Sequence, residues 1–340
     1  MTVLATTGLF AGHGGRPLLG PLDLAIPSGR FVCLLGANGA GKSTLIRTLC
    51  AMQAPVAGQV HLDGEPIHAM PSAQRARRLA VVLTERVDGT LMRGYELASM
   101  GRYPYLGWAG RLSPDDHRIV HQALVSAGAL PLADRLVAEM SDGERQKIMI
   151  ARALAQQPRL LVLDEATAFL DLPRRVGTMQ LLLDLARERG LAVLLSTHDL
   201  ELALRYADEL WLIDGKRQLH VGAPEDLAIA GTLGASFAAD GLDFDLERAE
   251  LRVGRAGTRA VRLEGVGLRV SWAARALERA GYVRDASATL TVHADPSGYT
   301  VAGDGDGDEV TRYATLGALV EALRVASART GPASAAEAVR

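Results

Sequence analysis

The chain has 340 residues, which is enough for one large domain and a smaller one. Hydrophobic residues make up 48% of it and charged residues 22%, a balance that is typical of a folded globular protein and excludes a disordered chain. Its formal net charge of -2 gives no electrostatic reason to expect binding to nucleic acid or to an anionic membrane surface, so we predict no nucleic-acid partner.

The first two thirds of the chain alternate between β-rich and helical stretches. The β-rich runs, by residue number, are 30–35, 79–83, 160–164, 192–197 and 209–214. This alternation predicts an α/β sheet with crossover helices, and we place the domain at residues 1–235. No apolar run approaches the 18 or so residues of a spanning helix, and the N-terminus lacks a signal-peptide pattern. We therefore expect a cytoplasmic protein.

A second domain is predicted at residues 241–330, after a Gly/Ala-rich boundary at 231–240. Its β-like runs are 260–264, 288–294, 299–302 and 309–314, and its amphipathic helical runs are 272–280 and 316–327. The order β-α-β-β-β-α predicts a small α+β domain, whose role the sequence does not reveal. The acidic run 304–309 departs from the calcium-loop template. We therefore predict a hairpin turn there rather than a calcium site.

A phosphate-binding loop follows the first strongly apolar strand. The run 31–35 leads directly into G-x-x-x-x-G-K-S, and a helical stretch comes next. In this context the backbone N–H groups and the helix N-terminus bind phosphate oxygens, the lysine reaches the β- and γ-phosphates, and the serine hydroxyl binds Mg²⁺. The predicted ATP-binding residues are Gly36, Asn38, Gly39, Ala40, Gly41, Lys42, Ser43 and Thr44.

Two further apolar strands end in chemically active side chains. Asp164 ends the run 160–164, where a carboxylate can hold Mg²⁺, and Glu165 is placed to orient or deprotonate the attacking water. His198 follows the run 192–197, and we predict that it contacts the γ-phosphate. Ligands of open α/β sheets lie at the carboxyl ends of the strands, so these groups are expected to meet there.

The segment Met140-Ser141-Asp142-Gly143-Glu144-Arg145-Gln146 resembles the signature motif of ABC transporter ATP-binding subunits. With the phosphate loop, the acidic strand end and His198, it makes four ordered motifs of that family. The resemblance implies an ABC-type P-loop NTPase fold with a helical subdomain at about 85–158. It further implies a homodimer of ATPase subunits, in which the signature segment of one copy contacts the ATP of the other.

The resemblance also assigns further roles, which are expectations for this chain. Ser141, Gly143 and Glu144 belong to the signature segment and are expected to bind nucleotide. Asp171 corresponds to the D-loop aspartate, and His198 to the switch histidine, a catalytic role that it would share with Glu165 and Lys42. His13 falls where the family usually has an adenine-stacking aromatic residue, and an imidazole stacks more weakly than a tyrosine.

A narrower resemblance is to the importers of iron–siderophore complexes, haem and cobalamin, carried by the runs 95–97, 101–105, 144–147, 151–155 and 168–172. It implies an integral membrane permease and an extracytoplasmic substrate-binding protein as partners, with this chain on the cytoplasmic face of the membrane. Two alternatives are open at this point: an ATPase subunit of another ABC transporter, such as an exporter or lipid transporter, and a nucleotide-binding regulatory subunit with low turnover.

Among the departures from the family pattern, two concern the metal site and the signature motif. Thr84 stands where the family usually has a metal-contacting glutamine, and either its hydroxyl or the Glu85 carboxylate could take over the contact with Mg²⁺. Asp142 replaces the first glycine of the signature motif. Because a carboxylate near a γ-phosphate is unfavourable, we expect Asp142 to cap the following helix instead.

Overall fold

The computed structural model describes residues 1–83, 91–107, 110–168, 170–238, 242–246, 250–253, 258–302 and 310–329. Thr84 and Glu85 lie outside the described residues, as does the acidic run 304–309. Within the described part of the chain, no helix is both long enough and apolar enough to cross a bilayer. The chain divides into two units, Met1–Arg252 and Val253–Arg340.

The first unit combines many short strands with helices of up to 18 residues. Its strands are β1 (Thr2–His13), β2 (Arg16–Leu22), β3 (Ala25–Pro27), β4 (Phe31–Gly36), β5 (Ala57–Leu62), β6 (Glu65–Pro66), β7 (Leu79–Val82), β8 (Leu160–Asp164), β9 (Ala192–Ser196), β10 (Glu209–Ile213), β11 (Leu219–Gly222), β12 (Leu242–Asp245) and, at the boundary, β13 (Glu250–Val253). Its helices are α1 (Lys42–Leu49), α2 (Ser72–Arg78), α3 (Gly94–Ser99), α4 (Pro114–Ser126), α5 (Asp142–Ala155), α6 (Leu172–Arg189), α7 (Leu200–Tyr206), α8 (Pro224–Ile229) and α9 (Thr232–Ala238).

A six-stranded sheet in the order β11-β10-β4-β9-β8-β7 forms the centre of this unit. The strands from β10 to β7 are parallel, and β11 pairs with β10 in the antiparallel sense. Since parallel strands end at one edge of the sheet, the segments that follow β4, β8 and β9 emerge together. The predicted phosphate loop, acidic strand end and histidine are those segments.

Side chains of the central strands alternate between two hydrophobic cores. On β4, Phe31, Cys33 and Leu35 enter one core, which also contains apolar residues of α5, α6 and α7. Val32 and Leu34 enter the other, together with residues of α1, β1 and β5. Burial on both faces explains why these strands appear in the sequence as continuous apolar runs.

A second sheet, antiparallel and ordered β2-β1-β5-β6 with β3 on β1, was not predicted from the sequence. Its strands alternate irregularly between buried and exposed residues, and the pairing of β1 with β2 and β5 contains register shifts. Such interruptions weaken the period-2 signal on which strand prediction depends. The segment predicted as a helical subdomain contains α3, α4 and α5, which pack on one another.

The second unit contains β14 (Arg259–Gly265), α10 (Leu268–Arg279), β15 (Tyr282–Arg284), β16 (Thr291–Asp295), β17 (Gly298–Ala302), β18 (Thr311–Tyr313) and α11 (Leu316–Arg329). The sheet order is β15-β14-β16-β17-β18, and its core joins Val261 and Val292 to Leu277 of α10 and Leu319 of α11. This is an α+β arrangement with one more strand than predicted. The additional strand, β15, has three residues, too few to show a pattern.

Candidate functional site

The phosphate loop joins the buried strand β4 to helix α1, as the motif requires. Gly41 is the N-cap residue of α1 and has φ 113°, a conformation that side-chain-bearing residues rarely adopt. A Cβ atom at Gly41 would also lie 2.9 Å from Cδ2 of Leu18. Because the leucine side chain could move, the backbone angle is the stronger reason for glycine here.

Lys42 extends into the loop that precedes it. Its ammonium group donates to the carbonyl oxygens of Gly36, at 2.8 Å, and Ala37, at 3.2 Å. The side chain is only 5% exposed, and Nζ lies 3.9 Å from Oε1 of Glu165. Burial lowers the pKa of Lys42, and the negative charges of Glu165 and Asp164 oppose that shift. The loop therefore surrounds a desolvated cation that has two carboxylates nearby.

Ser196, at the end of β9, connects Asp164, the last residue of β8, to Glu165, which follows that strand. Its hydroxyl donates to Oδ1 of Asp164 at 2.5 Å and accepts from the backbone N–H of Glu165 at 2.9 Å. Ser196 is fully buried. Sequence reasoning missed this residue, and its only signal was a hydroxyl at the end of an otherwise apolar strand.

Three of the predicted catalytic side chains meet at Oε1 of Glu165. Nε2 of His198 lies 2.6 Å from this oxygen, and the ammonium group of Lys42 lies 3.9 Å from it. Glu165 has φ 50°, which places its side chain on an uncommon left-handed backbone. The structure thus brings together groups that are separated by more than 150 residues in the chain.

The oxygen atoms at this edge suit a hard divalent cation. Ser43 and Asp164 offer a hydroxyl and a carboxylate, which are donors that Mg²⁺ accepts. Within the described ranges, no group of three or more His, Cys, Asp or Glu side chains could hold a metal by itself. A magnesium ion at this position would therefore need phosphate or water oxygens as additional ligands, as is usual when it accompanies a nucleotide.

His13, at the end of β1, lies beside the phosphate loop. Its Nε2 is 2.9 Å from the hydroxyl of Thr44, the third residue of α1. His13 is exposed, so its side chain is accessible to a ligand. The predicted adenine contact and the predicted phosphate contacts therefore belong to neighbouring residues.

The signature segment forms the N-terminal end of α5 and is held by a capping box. Ser141 is the N-cap residue, and its hydroxyl accepts from the N–H of Glu144 at 3.4 Å. In return, Oε2 of Glu144 accepts from the N–H of Ser141 at 2.9 Å. The other oxygen of Glu144 lies 2.5 Å from Nη1 of Arg135. Both carboxylate oxygens of Glu144 are thus engaged within the chain, which indicates a positioning role for a residue predicted to bind nucleotide.

Asp142 does not have the capping role that we expected. The N-cap residue is Ser141, and Asp142 lies in the first turn of α5, where it pairs with Arg145 at 3.1 Å. The ion pair and the helix dipole together accommodate its charge. Next to it, a Cβ atom at Gly143 would lie 2.6 Å from Cδ of Arg174, so a side chain there would require the half-exposed arginine side chain to move.

Asp171 is the N-cap residue of α6. Its Oδ1 accepts from the N–H of Arg174 at 3.1 Å, and Oδ2 lies 3.7 Å from Nε of the same residue. Arg174 also approaches Gly143, so the predicted D-loop and the predicted signature segment are neighbours within one copy of the chain.

Comparison with known proteins gives a consistent result. The model of the ABC transporter family matches residues 19–168, and that of the iron ABC transporter C-terminal domain matches residues 258–324. An uncharacterized ABC transporter ATP-binding protein of Methanocaldococcus jannaschii is 43% identical over 225 residues, which are 66% of this chain and 78% of that protein.

Two further proteins extend this comparison. A probable siderophore transport system ATP-binding protein of Bacillus subtilis is 35% identical over 227 residues, covering 67% of this chain and 82% of that protein. A solved structure described as a metal-chelate type ABC transporter in an inward-facing conformation superposes with a TM-score of 0.62 at 25% identity, covering 70% of this chain and 90% of that one.

Proposed function

The chain belongs to the family of ABC transporter ATP-binding proteins, and from that premise we propose that it hydrolyses ATP to drive the import of a metal chelate through a separate membrane permease. The observation that carries the proposal is the meeting of Lys42 and His198 on one oxygen of Glu165, directly beside the phosphate loop. A cation that can neutralise phosphate charge and a carboxylate that can orient water, both at the end of a phosphate-binding cradle, are groups that favour transfer of the γ-phosphate to water.

The phosphate loop would bind the nucleotide through its backbone N–H groups, through the N-terminus of α1 and through Lys42. The lysine would exchange the carbonyl oxygens that it now contacts for β- and γ-phosphate oxygens, which are stronger partners for a buried cation. Ser43 and Asp164 would hold Mg²⁺, which supplies charge neutralisation to the phosphates when it is bound. His13 would lie against the adenine ring.

Glu165 would act on the water that attacks the γ-phosphorus. The water oxygen forms the new P–O bond, the bond to the bridging oxygen of ADP breaks, and Glu165 orients the water and accepts its proton. The hydrogen bond to His198 and the left-handed backbone of Glu165 hold the carboxylate in one orientation. His198 would contact the γ-phosphate from the side of the site on which Glu165 lies.

Two copies would complete each site. Ser141 and the backbone N–H groups at the N-terminus of α5, including that of Gly143, would bind the γ-phosphate held by the other copy. Because each ATP then has contacts with both subunits, ATP stabilises the closed homodimer and hydrolysis releases it. Asp171, which caps α6 next to Gly143, would lie at the same interface.

The proposed cargo is an iron chelate, either a siderophore complex or haem, with cobalamin as the next choice. Support comes from the match of residues 258–324 to the iron ABC transporter C-terminal domain, and from relatives whose names refer to siderophore or metal-chelate transport. The chain would be attached to the cytoplasmic face of the membrane by its permease, and an extracytoplasmic substrate-binding protein would deliver the chelate. Identifying the ligand that copurifies with that binding protein would test the cargo.

The substitution Glu165→Gln tests the hydrolytic function. Without a base at this position, we expect phosphate release to fall by about 100-fold or more, while ATP binding and ATP-dependent dimer formation persist. Asp115→Asn, which removes an exposed carboxylate on α4, is the matched control and should leave the rate unchanged. Phosphate release by Glu165→Gln within threefold of the wild-type rate would contradict the assignment.

A further inference from the structure

Arg135 lies just before the signature segment and contacts it with its side chain. The guanidinium Nη1 is 2.5 Å from Oε1 of Glu144, and Nη2 donates to the carbonyl oxygen of Glu139 at 3.2 Å. The second oxygen of that carboxylate accepts from the N–H of Ser141. Arg135 is therefore linked to Ser141 through a single intervening residue, Glu144, and Ser141 is the serine that is proposed to bind the partner's nucleotide.

The backbone around Arg135 is fixed by a neighbouring stretch of chain. Three main-chain hydrogen bonds, with N···O distances of 2.8, 2.9 and 3.0 Å, join residues 92–95 to residues 133–137, and one of them ends on the carbonyl oxygen of Arg135. The side chain of Arg93 adds a contact with the carbonyl oxygen of Asp134. Gly94 allows this close approach, because a Cβ atom there would lie 2.4 Å from the carbonyl oxygen of Leu132.

We propose that Arg135 is a positioning residue for ATP-dependent dimerisation, which holds Ser141 in its phosphate-binding orientation by fixing the carboxylate of Glu144. The inference rests on the proposed function. A glutamate at this position could rotate about its side-chain bonds and leave the capping box. A charge-assisted contact with a guanidinium on a fixed backbone restricts that rotation, so that one carboxylate oxygen stays directed at the N–H of Ser141.

The alternative is that Arg135 and Glu144 form an ordinary surface ion pair with no positioning role. Their side chains are 44% and 31% exposed, and pairs of that kind contribute little to stability. We therefore expect only about a threefold effect at each nucleotide site. A symmetric dimer contains two such sites, and the effects multiply, so the dissociation constant of the ATP-bound dimer should rise about tenfold.

The full-length chain carrying Glu165→Gln, in which ATP is bound but not cleaved, is the background for the test. Arg135→Gln should raise the dissociation constant of the ATP-bound dimer about tenfold in sedimentation experiments, and Arg135→Lys should recover part of the loss. Nucleotide affinity measured at monomeric protein concentrations should stay within twofold, because the phosphate loop is unchanged. Arg118→Gln, which removes an exposed ion pair on α4, is the matched control.

A second pair of variants keeps the proposal testable if Arg135→Gln does not fold. Glu144→Gln keeps an acceptor for the N–H of Ser141 but removes the charge that Arg135 binds, so adding Arg135→Gln to it should produce no further change. Equal dimer dissociation constants for Arg135→Gln and Arg118→Gln would overturn the proposal. It would also be overturned if Arg135→Gln lowered the melting temperature and the nucleotide affinity of the monomer together with dimerisation. Absence of both phosphate release by the wild type and ATP-dependent dimers of Glu165→Gln would instead overturn the proposed function itself.

Discussion

At the scale of single residues, the orientation of Glu165 depends on its backbone as much as on its side-chain partners. The residue has φ 50°, and its N–H is held by the hydroxyl of Ser196 at 2.9 Å. The same hydroxyl donates to Asp164. One buried serine thus fixes both the proposed base and a proposed metal ligand, so its loss should affect catalysis more than binding.

The substitution Ser196→Ala tests this. Removing the hydroxyl leaves a backbone N–H without its side-chain acceptor and gives the Asp164 carboxylate more freedom. We expect kcat to fall about tenfold and the free energy of unfolding to fall by about 1–2 kcal/mol. The measurements are steady-state phosphate release and chemical denaturation. Ser236→Ala, which removes a hydroxyl that donates only to the carbonyl oxygen of Thr232, is the control, and an equal loss of kcat there would contradict the assignment.

The sequence predicted the polar strand ends but not the residues that orient them. Lys42, Asp164 and His198 are visible because each follows an apolar run in an ordered set of motifs. Ser196 and Arg135 act through contacts that depend on how separate segments approach each other. A serine 31 residues from Glu165 carries no local signal of that contact.

At the scale of elements, Arg102 joins the C-terminal end of α5 to the N-terminal end of α4. Its buried guanidinium donates to Oδ1 of Asp116 at 2.8 Å and to the carbonyl oxygen of Ala155, the last residue of α5, at 2.8 Å. It also lies 3.8 Å from the ring centre of Tyr105. The Arg102 cation lies at the C-terminal end of α5 and the Asp116 anion lies at the N-terminal end of α4, so each charge interacts favourably with the dipole of its helix. This cluster fixes the end of α5 opposite to the signature segment.

The carboxyl group of Asp116 gives this junction a pH dependence. Hydrogen bonds from the side chain and backbone of Ser113, and then from Arg102, lower the pKa of Asp116 from 3.8 to about 2. A pKa that is lower in the folded state stabilises the fold above the unfolded value, and the stabilisation is lost as the pH falls through the folded one. This contribution is therefore complete above about pH 4 and disappears toward pH 2.

Asp116→Asn tests the junction. At pH 7 we expect a loss of about 1–3 kcal/mol in the free energy of unfolding, because charge-assisted hydrogen bonds become neutral ones. The difference from the wild type should shrink as the pH is lowered from 4 toward 2, where the wild-type carboxyl group is itself protonated. Urea denaturation as a function of pH measures both effects. A pH-independent difference, or an equal loss in the exposed neighbour Asp115→Asn, would contradict the explanation.

Elements were predicted where burial produces a regular pattern. The parallel strands of the central sheet are buried on both faces, so their apolar runs matched the observed strands to within one or two residues. The antiparallel sheet and β15 were missed, because their strands are interrupted by glycines and register shifts or are very short. Helix α10 begins at Leu268, ahead of the predicted 272; the two apolar residues of its first turn, the exposed Leu268 and the half-buried Val270, are two positions apart, a spacing that does not match the helical period.

At the scale of the whole molecule, each unit has hydrophobic cores built from its own residues. The cores of the first unit include Phe244 on β12, and the core of the second extends from Val261 to Leu323. The sequence placed a domain boundary at 231–240, whereas the chain divides after Arg252. The Gly/Ala-rich composition at 231–240 predicted the boundary there, but Phe244 lies beyond this stretch and still packs in a core of the first unit.

Two truncated chains test this division. A variant that ends at Arg252 should fold and hydrolyse ATP at a rate within about twofold of the full chain, because it retains both cores of the first unit. A variant that ends at residue 240 lacks Phe244 and should be destabilised by roughly 3 kcal/mol or more. Thermal melting and phosphate release distinguish the two. Equal stability of both variants would show that Phe244 contributes nothing to the first core.

The alternation along β4 limits how this chain can change in length. Inserting one residue before Cys33 would exchange the sides of every preceding or following side chain, so that large residues meant for one core would face the other. An insertion of two residues preserves the sides but displaces the glycine cradle along the strand axis, away from the ends of β8 and β9. Natural or engineered variation in length should therefore accumulate in the connections between elements, while this strand keeps its residue count.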